Sequence, residues 1–119
     1  MKTLQDRVAV VTGACGGIGA ATCIALADAG AHVALVDLNL DGVDDIIDRI
    51  HQIGRTTSVH QVDVSDRAAI AALPDAVIAA QGAVHVLVNN AGVTATESWG
   101  YPPRGGLGGG VKKNKGGGE

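Results

Sequence analysis

Short runs of β-branched and aliphatic residues recur along the chain, separated by stretches with a helical period. No other feature narrows the possible folds as much. Arg7-Val8-Ala9-Val10-Val11-Thr12 and Ala31-His32-Val33-Ala34-Leu35-Val36-Asp37 are nearly continuous apolar runs. Thr57-Ser58-Val59-His60-Gln61-Val62-Asp63 is weaker and more alternating, and Ala83-Val84-His85-Val86-Leu87-Val88-Asn89 is strong again. A strand with consecutive apolar residues must be buried on both faces, which points to a parallel sheet. Between the runs, Gly17 to Ala29 is Ala-rich and helical, with Gly30 where a C-terminal cap belongs. Val43, Ile46, Ile47, Ile50 and Ile53 form an apolar stripe, with Asp44, Asp45, Asp48 and Arg49 mostly off it and Gly54 as the stop. Asp66 to Gln81 predicts a third helix with Ser65 as N-cap and a kink or restart at Pro74. The order β-α-β-α-β-α-β reads as an open α/β sheet with right-handed crossovers.

Composition divides the chain. Of 18 Gly, nine lie in residues 1–99 and nine in residues 100–119. Residues 1–92 carry five Lys+Arg and ten Asp, whereas residues 93–119 carry four Lys+Arg and two Glu. The Gly-rich stretch from Gly100 cannot bury enough apolar area to offset its ordering entropy. We therefore expect residues 1–93 to fold and residues 94–119 to be a disordered tail. At 119 residues there is no room for a separate substrate domain. The net charge of −3 gives no general attraction for nucleic acid or an anionic membrane. Lys112-Lys113-Asn114-Lys115 is too short a basic run to change that. No apolar run approaches the roughly 20 residues of a membrane span, and the N-terminus does not read as a signal peptide. Cys15 and Cys23 are too few for a disulfide framework and fit no zinc spacing, so a cytoplasmic location is expected.

The most informative segment is Thr12-Gly13-Ala14-Cys15-Gly16-Gly17-Ile18-Gly19, which leaves the first strand and opens the first helix. Glycine suits a tight turn and lets the backbone approach a pyrophosphate closely. Free N–H groups and the helix dipole then hold the anion. The spacing is Gly-x-x-x-Gly-x-Gly, and no Gly-Lys-Ser/Thr follows, so it is not a P-loop. Asp37 ends the second strand, where a dinucleotide-binding domain places a carboxylate near the ribose hydroxyls. That carboxylate would repel a 2′-phosphate, and neither the glycine loop nor Leu38-Asn39-Leu40 offers a Lys or Arg for one. NAD is therefore the expected cofactor. Asp37 could alternatively cap the next helix or sit in a turn, but Asn39 or Asp41 could cap that helix equally well.

Thr12-Gly13-x-x-x-Gly17-x-Gly19, Asp37, Asp63-Val64 and Asn89-Asn90-Ala91-Gly92 come in order, one at each strand end. Together they resemble the N-terminal half of a short-chain dehydrogenase/reductase, over about residues 4–93. The resemblance implies a Rossmann-type parallel sheet in the order 3-2-1-4. It implies that Gly13, Gly17, Ile18 and Gly19 hold the pyrophosphate and that Asp37 takes the ribose hydroxyls. It places Asp63 and Val64 around the adenine, and Asn90, Ala91 and Gly92 along the adenosine side. Asn89 would tie the central strands together. By residue type alone, Asn-Asn-Ala-Gly is an ordinary strand-to-loop exit.

The family's chemistry transfers a hydride between NAD(H) and an alcohol or ketone, using a Ser and a Tyr-x-x-x-Lys. A neighbouring Lys lowers the Tyr pKa so that its hydroxyl can exchange a proton with the substrate oxygen. The single Tyr is Tyr101, and Gly105 stands four residues on. No catalytic residue is therefore assigned. A complete family chain would be roughly twice as long, so the sequence is expected to be a truncated form, with the tail arising from a frame change or a shortened coding sequence. The small-molecule substrate and the family's homo-oligomer interface would belong to the longer form. The alternatives are a non-catalytic NAD- or adenosine-binding module and a non-functional product. Cys15 stands beside a helix N-terminus, which can lower a thiol pKa, but it reads as a small loop residue. Cys23 reads as a small apolar residue. The histidines lack partners at metal spacing, and Asp41, Asp44, Asp45 and Asp48 form a solvated helix face, so no metal site is assigned.

Overall fold

The computed structural model describes residues 3–90. Its elements are β1 (Val8–Thr12), α1 (Gly17–Asp28), β2 (His32–Asp37), α2 (Val43–Ile53), β3 (Thr57–Gln61), α3 (Arg67–Gln81) and β4 (Val86–Asn89). The four strands form one parallel sheet in the order β3-β2-β1-β4. This is the Rossmann-type arrangement that the motifs imply.

The two central strands are buried on both faces, as continuous apolar runs require. Val11, Val33 and Leu35 point to one side, where they meet Cys23 and Ala27 of α1 and Ile46 and Ile50 of α2. Val8, Val10, Ala34 and Val36 point to the other, where they meet Leu73 and Val77 of α3. Gly19, Cys23 and Ala27 line the buried face of α1, and these small residues let the helix lie close to the sheet. α2 is amphipathic, with Ile46 and Ile50 inside and Asp44, Asp45 and Asp48 exposed.

Several local expectations shift. Asp66, not Ser65, caps α3, its Oδ1 accepting the Ala69 N–H at 3.2 Å. Neither Asn39 nor Asp41 caps α2. The N-cap is Gly42 at φ 82°, while Asn39 Oδ1 accepts the Asp41 N–H and tightens the preceding turn. α3 runs through Pro74 without interruption, since Leu73 and Val77 anchor it to the sheet while Pro74 stands on the exposed side. β4 starts at Val86, because just before it the His85 ring turns back and Nδ1 accepts the Val8 N–H.

Among the described residues β4 is an outer strand, apolar on both faces. Val88 packs on the α1 side, and Leu87 stands 65 % exposed on the other. An apolar groove of about 170 Å³ lies between Leu87, Val10 and Leu73.

Candidate cofactor site

α1 packs on one face of the sheet and α3 on the other, so the chain changes side between β1 and β4. In open α/β sheets, ligands bind at such a point, beyond the carboxyl ends of the strands. The glycine loop leaves β1 there.

Each of its glycines answers a different demand. Gly13 has φ 66°, a left-handed conformation that a side chain disfavours. Gly19 is fixed by packing, since a Cβ there would lie 1.8 Å from the Gly13 carbonyl oxygen. Gly17 is exposed, and a Cβ there would meet nothing within 4 Å. The protein's own packing therefore gives no reason for glycine at position 17. The N-terminus of α1 is also bare. Its N-cap is Gly16, with no side-chain cap and no acidic residue in the first turn. Among the described residues, the N–H groups of Gly17, Ile18 and Gly19 have no hydrogen-bond partner. Three such donors, with the partial positive charge of the helix end, suit an anion. Ile18 carries its side chain outward, 75 % exposed, and offers only its backbone.

Asp37 ends β2 beside this loop and is tied to it. Its Oδ2 accepts the Cys15 N–H at 3.0 Å, and its Oδ1 accepts the Asn39 N–H at 3.2 Å. The carboxylate thus joins the glycine loop to the β2–α2 turn, a link that no spacing argument revealed. It also bears on Cys15. Burial, and then the negative charges of Asp37 and Asp41, push that thiol pKa up, opposite to the lowering a helix end can give. Cys23, wholly buried, is pushed up to about 12 by burial.

Beyond β3 lies Asp63, an exposed carboxylate whose Oδ1 accepts both the Ser65 hydroxyl (2.7 Å) and the Ser65 N–H (2.9 Å). These bonds, the hydroxyl foremost, hold its carboxyl below the usual carboxylate range. Gly13, Asp37, Leu38, Val62, Asp63 and Val64 line one cleft of about 260 Å³. Leu38 and Val62 were not singled out from sequence. Leu38 is 57 % exposed, and its carbonyl accepts from Gln61 Nε2 at 3.0 Å. The Val62 N–H donates to the Asp37 carbonyl at 3.2 Å. An exposed leucine directly after the strand-ending acid was the only available signal.

On the β4 side, the buried Thr12 hydroxyl donates to Asn89 Oδ1 at 2.9 Å, tying β1 to β4. Asn90 follows. Its Nδ2 is buried without a hydrogen-bond partner among the described residues, a donor still seeking an acceptor. Asn90 does not line the 260 Å³ cleft. Ala91, Gly92 and Tyr101 lie outside the described residues.

The donor and acceptor set is asymmetric. Bare N–H donors at α1 suit a phosphate, and two carboxylates, which only accept, suit hydroxyls and an amino group. Between them lies a cleft with apolar walls at Leu38, Val62 and Val64. The arrangement fits the adenosine diphosphate portion of a dinucleotide. Among the described residues no group of three or more His, Cys, Asp or Glu side chains could hold a metal. His32 Nδ1 accepts the Thr56 N–H at 3.0 Å, at the opposite end of the sheet. Among the described residues no helix is long and apolar enough to cross a membrane.

The family model for short chain dehydrogenase matches residues 7–100. D-threitol dehydrogenase of Mycolicibacterium smegmatis is 44 % identical over 93 residues, which are 76 % of this chain and 35 % of that protein. The structure of a short chain dehydrogenase from Mycobacterium paratuberculosis bound to NAD aligns with a TM-score of 0.70 at 28 % identity, covering 81 % of this chain and 40 % of that one. A metagenomic short-chain oxidoreductase in complex with NADP aligns at 0.69 and 43 % identity, covering 76 % and 41 %. The chain thus spans about a third of the length of the curated relatives it matches. With the sheet order, the glycine loop and the strand-end motifs all agreeing with these likenesses, the chain belongs to the short-chain dehydrogenase family.

Proposed function

We propose that this chain binds NAD through its adenosine diphosphate portion, as part of a dehydrogenase or reductase that moves a hydride between NAD(H) and an alcohol or ketone. The observation that carries the proposal is the single cleft joining Gly13, Asp37, Asp63 and Val64, beside the bare N-terminus of α1. Beside the cleft the N–H groups of Gly17, Ile18 and Gly19 take the pyrophosphate, and within it Asp37 takes the ribose hydroxyls. Asp63 and Val64 border the adenine. Asn90, Ala91 and Gly92 are assigned to the adenosine side beyond β4. Relatives with NAD and with NADP are both known, so the preference rests on this chain's own residues. The cleft contains two carboxylates and no Lys or Arg. A 2′-phosphate beside Asp37 would meet like charge, with about 1–4 kcal/mol of repulsion per charge pair at 4 Å between the bulk-water and near-surface dielectric limits.

Hydride transfer needs a proton-exchanging group as well, and the Tyr-x-x-x-Lys that the family uses is not recognisable among these 119 residues. The proposal therefore assigns this chain cofactor binding and no proton-transfer residue. Two unpaired thiols, Cys15 and Cys23, suit a reducing compartment, and a cytoplasmic location is part of the proposal. Calorimetric titration of the purified chain with NAD and NADP is the test. Saturable NAD binding at least about 10-fold tighter than NADP is expected. Equal affinities would remove the assigned preference, and no binding of either would remove the cofactor.

A further inference from the structure

We propose that Ser65 is a positioning residue for recognition of a 6-aminopurine: its hydroxyl and its backbone N–H fix the Asp63 carboxylate through one oxygen and leave the other free for the amino group of the ring. The inference rests on the placement of adenosine in the cleft proposed above.

Asp63 is exposed at the end of the β3 segment, where an unrestrained carboxylate would sample several rotamers. Two donors prevent that, and both reach the same atom. The Ser65 N–H and hydroxyl meet Oδ1 at 2.9 and 2.7 Å. The Asp66 N–H donates to the Asp63 carbonyl at 2.9 Å and closes the same turn from the backbone side. Oδ2 has no partner among the described residues, and Asp63 lines the cleft. Ser65 has no competing duty, because Asp66 caps α3. Its hydroxyl is therefore committed to the carboxylate two residues earlier. The same two bonds favour the ionised carboxylate, which can accept but not donate. Such an oxygen matches the N–H of a 6-amino group and repels the carbonyl oxygen of a 6-oxo ring.

The test compares NAD with nicotinamide hypoxanthine dinucleotide, which differs only in that ring substituent. Calorimetry on the full 119-residue chain would compare wild type, Ser65→Ala, Ser65→Thr and Asp63→Asn, with thermal unfolding to report the fold. Wild type should prefer NAD. Ser65→Ala should narrow that preference by about 3- to 10-fold, by weakening NAD with little change for the analogue. Ser65→Thr should restore the preference, and Asp63→Asn should abolish it. In carbon-detected NMR titrations the Asp63 carboxyl should move upward in Ser65→Ala and return in Ser65→Thr. If Ser65→Ala weakens both dinucleotides by one factor, or neither, Ser65 has no part in recognising the ring. Wild type that binds both equally tightly overturns recognition of the amino group by Asp63. Wild type that binds neither overturns the cofactor proposal, and this inference with it.

Discussion

Replacing Asp37 by Ala removes two things at once, and the structure says how to separate them. The carboxylate holds the half-buried Cys15 N–H at 3.0 Å and the more exposed Asn39 N–H at 3.2 Å. In the proposed complex it also accepts from the ribose hydroxyls. Without it, the Asn39 N–H can turn to water, whereas stranding the Cys15 N–H costs about 1–3 kcal/mol of loop stability. Losing hydrogen bonds from a vicinal diol to a charged acceptor costs about 2–4 kcal/mol of binding, or roughly 30- to 1000-fold in Kd. The loop effect should fall on any ligand whose phosphate sits at α1. The diol effect should fall only on a ligand with free hydroxyls. Calorimetry with NAD and with 2′,3′-dideoxy-AMP separates them, with thermal unfolding alongside to measure the loop term. The expected outcome is a modest loss for the dideoxy nucleotide and a loss at least about 10-fold larger for NAD. Equal losses would refute the ribose assignment and leave Asp37 as a strut of the glycine loop.

The two helix-opening glycines should behave oppositely. Gly19→Ala forces a Cβ against the Gly13 carbonyl oxygen and should cost about 3 kcal/mol or more in urea denaturation. Gly17→Ala meets no protein atom and should leave stability unchanged or raise it by about 0.5–1 kcal/mol, yet weaken NAD by more than about 10-fold in calorimetry. Unchanged NAD affinity would show that no phosphate sits over position 17. Cys23 predicts alkaline sensitivity. Its folded pKa of about 12 lies above the 9.0 of a free thiol, so its neutral form contributes stability that is full below about pH 9 and lost towards 12. Cys23→Ala should be less stable at neutral pH but flatter across that window, and an unaltered profile would mean that another group causes the loss. Disulfide-exchange labelling at pH 8 should modify the half-exposed Cys15 well before Cys23.

Much of the fold was legible because burial on two faces imposes a pattern that few other structures share. The continuous apolar runs at Val8–Thr12 and His32–Asp37 announced strands covered on both faces, and the observed burial agrees over all of the first and the inner four residues of the second. The outer places of Thr57–Gln61 and Val86–Asn89 followed from the family resemblance and not from their apolar content, which differs between the two. The boundaries were less legible. Ser65 and Asp66 are both good N-caps, and the choice turned on Asp63, which claimed the serine hydroxyl. Asn39, Asp41 and Gly42 could each precede α2, and the turn after Asp37 decided in favour of the glycine.

The site shows the same division. Sequence alone determined which residue types stand at each strand end, and so the chemistry available there: a glycine turn, an acid after β2, another after β3 and amides after β4. It could do so because the period of each element fixes where the chain leaves the sheet. Only the tertiary structure decided which of these groups meet. The sheet order places the ends of β1, β2 and β3 side by side, bringing Gly13, Asp37 and Asp63 to one cleft and leaving Asn90 on the far side of the glycine loop. The Asp37 tether to Cys15 spans 22 positions, and the Thr12 bond to Asn89 spans 77. Contacts at that separation leave no trace in local periodicity. They arise from the lateral pairing of strands, and that pairing depends on how both faces of the sheet are covered.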